Sequence, residues 1–206
     1  MVACGDDKHA DTPVGACYDF ATLLTSGPSG SEFELQKAED SPVVRYVAKQ
    51  TISPDSLCTY NMRMIIMYSR HDGGMPYTSG PITLYGYRLT DNKYQTVQPD
   101  TLAARDSHPL KMQSITRTGK YLNMQMQLSC MRTAVPDELS LVMTPGAEIT
   151  DSVPELRIIY HPKESGENYM TGYASFCLDP LWQKAKGVKI SWISPEGKLS
   201  HTFLKN

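Results

Sequence analysis

The alternation of apolar and polar residues over residues 122–130 limits most strongly what this chain can fold into. In the stretch LNMQMQLSC, every second residue is apolar, and Asn, Gln and Ser fill the positions between. An extended strand sends successive side chains to opposite faces, so the pattern predicts a strand with one face in a core and the other in water. The predicted core face consists of Leu122, Met124, Met126, Leu128 and Cys130.

The first half of the chain shows the same period of two in five short stretches. They are CYDFATLL (17–24), EFELQ (32–36), PVVRYVAK (42–49), MRMIIMYS (62–69) and PITLYGYRL (81–89). Turn-forming residues separate them, and Pro42 and Pro81 stand at strand starts, where a missing N–H is tolerated. Five short strands in so short a segment favour a small closed barrel, because an open sheet would leave edges to protect.

The second half contains a further set of predicted strands after a polar stretch. Residues 91–107 are polar and are predicted to form a linker or crossover. Beyond residues 122–130, strands are predicted at 138–143, 156–161, 172–178, 187–194 and 198–204. Pro180 and Gly187 bound a short predicted helix, since proline suits the first turn of a helix and glycine its end.

The amino terminus has the form of a processed lipoprotein signal. Met1-Val2-Ala3-Cys4 resembles the last four positions of a bacterial lipobox, with the rest of the signal expected upstream. The resemblance implies lipidation of Cys4, and two or more acyl chains give stable anchoring. Asp6-Asp7 resembles the export signal of Bacteroidetes surface lipoproteins. The alternative is a chance cysteine in a disordered tail.

Several longer stretches resemble the NigD-like lipoprotein family of Bacteroidetes. They are DFATLLTSGPSGSEFELQ, GKYLNMQMQL and ELRIIYHPKESGENYMTGYASFCLDPLWQKAKGVKISW. The resemblance implies an all-β chain, with an N-terminal OB-like five-stranded barrel and a C-terminal β-sandwich. Together with the polar stretch at 91–107, this predicts a lipobox remnant and flexible tether at residues 1–13, the barrel at 14–100 and the sandwich at 101–206. The family implies no established reaction.

The sequence carries no pattern that predicts catalysis, a metal or a cofactor. The five histidines stand apart, without metal-ligand spacing within one element, and no G-x-S-x-G elbow or phosphate-binding loop occurs. The net charge of −2 argues against nucleic acid as a partner. The protein is therefore expected not to be an enzyme. The rival interpretation is an enzyme acting on envelope polymers, with His161 or His71 in a cleft.

Four cysteines besides Cys4 are Cys17, Cys58, Cys130 and Cys177, and four cysteines allow three disulfide pairings. If each half folds alone, Cys17 with Cys58 and Cys130 with Cys177 is the natural pairing. We favour the alternative that all four are small buried thiols, because the chain does not resemble a small domain that needs disulfides.

Tyrosines give the one indication of a binding face. Tyr85 and Tyr87 are predicted on one face of a strand, with His71 and Tyr77 in the preceding loop. Exposed tyrosines suit sugars or peptides, because each offers a flat apolar face and a hydroxyl. The interpretation that the sequence favours more strongly is that these tyrosines fill the barrel core.

The function expected from these observations is binding or accessory work by an outer-membrane lipoprotein, facing either the cell surface or the periplasm. Its expected partners are the outer membrane, through the lipid on Cys4, and a protein, peptide or glycan ligand. The alternatives are the envelope-polymer enzyme and a structural subunit that assembles through sheet edges. A long unpaired edge strand would favour assembly.

Overall fold

Strands dominate the computed structural model, which describes residues 15–52, 61–70, 78–92, 95–99, 106–130, 138–144, 149–150, 152–162 and 168–205. Its regular elements in these residues are twelve strands and one four-residue helix. By internal contacts, the chain divides into two units, Met1–Thr90 and Asp91–Asn206. The all-β prediction is confirmed.

The first unit is a closed five-stranded barrel. Its strands are β1 (Cys17–Gly27), β2 (Gly30–Leu35), β3 (Val44–Ala48), β4 (Arg63–Arg70) and β5 (Gly80–Leu89). The order around the barrel is β1-β2-β3-β5-β4, with β4 returning to β1. All pairings are antiparallel except β3 with β5. Closure removes the open edges that such short strands would otherwise expose.

Alternating residues of these strands fill the barrel. On β3, for example, Val44, Tyr46 and Ala48 are buried and the residues between them are exposed. The barrel core consists of Ala21, Leu23, Phe33, Leu35, Val44, Tyr46, Ala48, Ile52, Met64, Ile66, Tyr68, Ile82 and Leu84. The period of two in the sequence therefore marks the inward face of each strand, and the predicted N-terminal barrel is confirmed.

The second unit is a β-sandwich of two sheets. Its strands are β6 (Lys111–Thr118), β7 (Tyr121–Cys130), β8 (Glu138–Met143), β9 (Glu155–His161), β10 (Asn168–Cys177), β11 (Gly187–Ser194) and β12 (Gly197–Leu204). One sheet has the order β10-β7-β6 and the other β12-β11-β9-β8. The apolar face predicted for residues 122–130 forms part of the core, where Leu122, Met124, Met126 and Leu128 are all buried.

One residue on the opposite face of β7, Asn123, departs from the prediction that this face lies in water. Asn123 is buried, and it donates to Thr118 Oγ1 at 2.7 Å and accepts from Ser175 Oγ at 2.7 Å. Asn92 brackets Ser175 through the backbone, accepting from its N–H and donating to its C=O, both at 3.0 Å. A buried polar side chain is tolerated here because its hydrogen bonds are made.

Residues 91, 92 and 95–98 belong to this sandwich, although the sequence places residues 91–107 in a linker or crossover and the boundary after residue 100. The backbone N–H of Asp91 donates to the C=O of Tyr173, and that of Cys177 to the C=O of Gln95. Thr96 and Gln98 form bridges with the second unit as well. The polar composition of this segment is explained by the hydrogen bonds that its side chains and backbone make with the edge strand β10.

The short helix α1 (Leu181–Lys184) occupies the predicted helical position between β10 and β11. Pro180 precedes it, and Leu181 and Trp182 are its buried residues. No helix in the described ranges has the length and apolar character needed to cross a membrane.

Glu155 joins three strands of the four-stranded sheet by ion pairs. Its Oε1 lies 2.9 Å from Lys198 Nζ on β12, and its Oε2 lies 3.1 Å from Lys189 Nζ on β11. The hydrogen bonds from Lys198 and Ser191 lower the pKa of Glu155 from 4.5 to about 2. A lowered pKa stabilises the fold above the unfolded-state value, and the contribution is lost as the pH falls through the folded-state value.

We therefore expect Glu155→Gln to reduce the free energy of unfolding at neutral pH by about 1–2 kcal/mol, discounted for partial exposure. The difference from the wild type should shrink below about pH 4.5 and be lost as the pH falls through about 2. Urea unfolding across this range measures it. Glu34→Gln is the control, because its partner Arg45 is 3.9 Å away and 62% exposed. A deficit that persists unchanged into acid would contradict this account.

Candidate functional site

The residues predicted for a binding site fall in two groups. Cys4, His71 and Tyr77 lie outside the described residues. Tyr85 and Tyr87 lie on β5, with 42% and 46% of their surfaces exposed. The interpretation that these two tyrosines fill the barrel core is therefore wrong, and both are available to a ligand.

A β-bulge separates the two tyrosines, which the sequence places on one face. Opposite β4, Leu84 pairs with Tyr68 and Gly86 with Met67, so Tyr85 is the extra residue. Residues directly opposite each other in an antiparallel pair share a face, and a bulge shifts the alternation by one. Tyr85 therefore lies on the outer face, whereas Tyr87, which pairs with Ile66, follows the inward row.

A second exposed tyrosine, Tyr18, lies near Tyr85 on the outer face, and the sequence analysis did not identify it. Tyr18 pairs with Met67, and Met67 in turn pairs with Gly86. Tyr18 is 56% exposed. Two exposed tyrosines therefore stand on either side of Met67, on β1 and β5, with β4 between them.

Two local features shape this surface, which we call the tyrosine face (Tyr18, Met67, Ser69, Tyr85 and Gly86). The hydroxyls of Ser69 and Tyr85 are hydrogen bonded at 2.8 Å, which fixes the direction of the Tyr85 ring. At Gly86, the atom nearest to the position of a Cβ is Met67 Cε, at 3.8 Å. No side chain therefore rises at Gly86 between the two tyrosines. The arrangement is a shallow aromatic platform rather than a deep cleft.

A polar cluster of the barrel interior serves packing instead. Asp19 accepts from Lys37 Nζ and, at 2.8 Å, from Tyr68 Oη. The ring of Tyr68 lies 5.0 Å from that of Tyr46, and both residues are buried. Burial, and then the charge of Asp19, raise the pKa of Tyr68 far above its usual value. Its hydroxyl stays protonated at physiological pH and acts as a donor to Asp19.

The described histidines make ring contacts. His161 lies at the end of β9 with its ring 6.2 Å from that of His108, and His201 packs against Phe203 at 4.6 Å. Nε2 of His161 is buried without a hydrogen-bond partner in the described part of the chain. Among the residues that the structure describes, no group of three or more His, Cys, Asp or Glu could hold a metal ion.

The cysteines for which a side chain is described are free thiols. Cys17 is exposed and Cys177 is partly buried. The prediction of a small buried thiol is therefore wrong for Cys17, which stands at the exposed start of β1. Cys58 and the side chain of Cys130 lie outside the described residues.

A five-stranded barrel followed by a seven-stranded sandwich defines the structural class of this protein. Residues 93–205 match the family model of the NigD-like C-terminal beta sandwich domain. The match spans more than half of the chain, so this protein belongs to the NigD-like family. The resemblance noted in the sequence is thereby confirmed. A comparison with curated protein sequences gives no match.

Several solved structures share this fold over nearly the whole chain. A protein of unknown function from Bacteroides vulgatus has a TM-score of 0.68 and 19% identity, covering 93% of this chain and 91% of that one. A NigD-like immunity protein from Bacteroides caccae has a TM-score of 0.62 and 14% identity, covering 92% and 98%. A "Putative lipoprotein" from Bacteroides fragilis has a TM-score of 0.60 and 9% identity, covering 91% and 96%. At these identities, the likeness establishes the fold.

Proposed function

We propose that this protein is a lipid-anchored binding protein of the bacterial outer membrane, which recognises a glycan or peptide at the cell surface and does not transform it. The observation that carries the proposal is the tyrosine face, where Tyr18 and Tyr85 remain exposed beside Met67 on the outside of the barrel. Large aromatic side chains are normally buried, so a pair held open on the two strands that flank β4 favours recognition.

The chemistry of this face fits a ligand with flat apolar surfaces and hydroxyl groups. A tyrosine ring packs against the C–H face of a sugar or against an aromatic or proline side chain. The hydrogen-bonded hydroxyls of Ser69 and Tyr85 can donate and accept at the edge of the same surface. Because strands rather than loops hold Tyr18 and Tyr85, little ordering entropy opposes binding.

The anchor belongs to the proposal as well. Lipid on Cys4 would leave the eleven-residue span to Gly15 as a tether, which reaches at most about 40 Å when fully extended. A binding protein on such a tether samples ligands close to the membrane. The name of the lipoprotein from Bacteroides fragilis, a structural neighbour, is in keeping with this arrangement.

Recognition without reaction is favoured by the shape of the tyrosine face. Catalysis needs titrating groups whose pKa values are shifted in a shielded pocket. The tyrosine face is open and contains no carboxylate or histidine. The rival enzyme would instead use His161, beside His108, or His71.

An array of purified microbial polysaccharides and peptides tests the proposal. We expect the wild-type chain to retain specific ligands, and the double variant Tyr18→Ser/Tyr85→Ser to lose about 2 kcal/mol or more, about a thirtyfold weakening. Tyr169→Ser is the matched control, since Tyr169 is 69% exposed on β10 of the other unit.

Equal binding by the double variant and the wild type would exclude the tyrosine face. Mass spectrometry of the retained ligand separates binding from catalysis. The proposal predicts that the ligand is recovered unchanged. Cleavage products that disappear in His161→Ala or His71→Ala would establish the rival enzyme.

Assembly through sheet edges is a second candidate function, because β12 is an edge strand of its sheet and is exposed along its length. Six of the first seven residues of this strand are exposed, and Leu199 and Leu204 are 45% and 58% exposed. Ser194 and Gly197 close a two-residue turn as a hydrogen-bonded pair. The backbone groups of Lys198, Ser200, Thr202 and Leu204 therefore point away from β11, towards a possible added strand.

A pair of proline substitutions distinguishes this edge from the rest of the strand. Thr202→Pro removes an N–H that faces outwards, so we expect an unchanged fold and loss of any self-association. His201→Pro removes an N–H that pairs with Ile190 and should destabilise the sandwich. Light scattering and thermal unfolding measure the two effects. Oligomers that survive Thr202→Pro would exclude assembly through this edge.

A further inference from the structure

Three lysines surround one groove at the end of the sandwich. This groove is positively charged, whereas the tyrosine face of the barrel is aromatic. The groove has a volume of about 540 Å³, and Lys184, Lys186 and Lys205 line it together with Gln183, Val153 and Leu204. Among the residues that the structure describes, no aspartate or glutamate lines it. Over the described ranges, none of the three lysines has an ion-pair partner, whereas Lys37, Lys189 and Lys198 each pair with a carboxylate.

Backbone hydrogen bonds hold the three segments of this groove in place. The N–H of Lys186 donates to the C=O of Ser152 at 2.8 Å, and the N–H of Lys205 donates to the C=O of Lys186 at 2.9 Å. Gly187 lets the strands approach closely, since a Cβ there would lie 2.3 Å from the carbonyl oxygen of Phe203. The lysines therefore project from a fixed frame.

One of the lysines is itself positioned by its side chain. Lys205 Nζ donates to the C=O of Gln183 at 3.0 Å and lies 5.6 Å from the centroid of the Trp182 ring. An ammonium group carries three N–H donors, so this contact leaves two for a ligand. The groove thus presents concentrated positive charge with part of its geometry set in advance.

Aliphatic side chains beside the lysines indicate what kind of anion fits. Val153 and Leu204 are 40% and 58% exposed at this groove. Lysine binds phosphate as a point charge, and three lysines together suit a surface of several phosphates without the bidentate geometry that arginine imposes. The part of the lining that the structure describes contains no Trp, Tyr or Arg, the residues that dominate protein–protein hot spots, and lysine is depleted in such interfaces.

We infer that this groove docks onto an anionic phospholipid surface. The three ammonium groups contact lipid phosphates, and Val153 and Leu204 enter the boundary between headgroups and acyl chains. Clustered lysines gain electrostatic free energy near an anionic bilayer, and exposed aliphatic side chains add buried apolar area. The inference stands on the groove alone, whatever ligand the tyrosine face binds.

Vesicle sedimentation with the chain free of lipid on Cys4 tests this inference. We expect binding to phosphatidylcholine vesicles that contain a quarter of phosphatidylglycerol, and none to phosphatidylcholine alone. Lys184→Gln/Lys186→Gln/Lys205→Gln should weaken binding about a hundredfold. Lys49→Gln/Lys111→Gln/Lys120→Gln is the control, because it removes the same charge from exposed lysines elsewhere. It should weaken binding less than about threefold, by lost long-range attraction.

A second variant and two competitors complete the test. Leu204→Ser should weaken binding by a factor that stays the same at higher salt, because its contribution is apolar. Inorganic phosphate or polyglutamate that displaces the protein from vesicles at low concentration would overturn the inference, in favour of a soluble phosphate ligand or an acidic protein partner. Equal losses in the two triple variants, or no binding to the anionic vesicles, would also overturn it.

Discussion

Gly30→Ala is expected to lower the free energy of unfolding of the barrel by about 3 kcal/mol or more, one of the largest effects of a single methyl group in this chain. Gly30 has a φ of +112°, which side chains rarely adopt, and a Cβ would lie 2.0 Å from the carbonyl oxygen of Ala48. That oxygen belongs to the backbone of β3, so relief requires the β2–β3 pairing to move.

Gly27→Ala is the control for this substitution. Gly27 is the register partner of Gly30 across the same turn, and nothing lies within 4 Å of a Cβ built there. Denaturant unfolding followed by far-ultraviolet circular dichroism measures both variants. We expect Gly27→Ala to remain close to the wild type. A Gly30→Ala variant as stable as Gly27→Ala would contradict the close approach of β2 and β3.

Phe176→Ala is expected to lower the free energy of unfolding of the sandwich by about 3–5 kcal/mol. Phe176 lies on β10, is fully buried and stands opposite Leu122 in the register with β7. Removing the ring loses its transfer free energy and leaves a cavity that a core held by two sheets collapses into only partly.

The two tryptophans make this loss measurable in the second unit itself. Trp182 and Trp192 are the only tryptophans of the chain, and both belong to the sandwich core. Their fluorescence therefore follows the unfolding of this unit. Tyr169→Ala on the same strand is the control, and removal of so exposed a ring should change stability by less than about 0.5 kcal/mol. A similar loss in both variants would show that Phe176 is not a core residue.

Strands such as β2 and β3 were predictable because alternate residues are buried, and β11 and β12 because the turn residues Pro195 and Glu196 separate them. Residues 187–194 and 198–204 agree with β11 and β12 to within one residue. The strand β6 (Lys111–Thr118) was missed, since most of its residues are exposed or half-buried and its sequence KMQSITRT shows no clear apolar period. An edge strand of this kind owes its position to pairing with β7, which the local sequence does not encode.

The tyrosine face was predictable only in part, for a reason of register. Tyr85 stood out as an aromatic residue of a strand, but its neighbour Tyr18 is distant in sequence and reaches it through Met67 on a third strand. The bulge that sends Tyr85 and Tyr87 to different faces also depends on pairing with β4. A one-residue shift in register reverses every side chain, so alternation alone does not determine which tyrosines share a face.

The lysine groove carries no motif in the sequence for a similar reason. Lys184 is the last residue of the helix α1 and Lys186 follows it, whereas Lys205 comes after the last strand. They meet because β12 returns antiparallel to β11 and brings Leu204 opposite Gly187. These surface lysines form a candidate binding site only because the pairing of β12 with β11 brings them together.

NMR spectroscopy of the protein with isotope-labelled tyrosine rings tests the central claim most directly. The glycan or peptide that gives the strongest array signal is titrated into the protein, with Tyr18→Phe and Tyr85→Phe used to assign the two rings. The account predicts that the Tyr18 and Tyr85 signals shift together and saturate, that Tyr169 stays unchanged, and that the ligand is recovered intact. Saturable binding that leaves both rings unmoved, or a ligand returned in pieces, would contradict it.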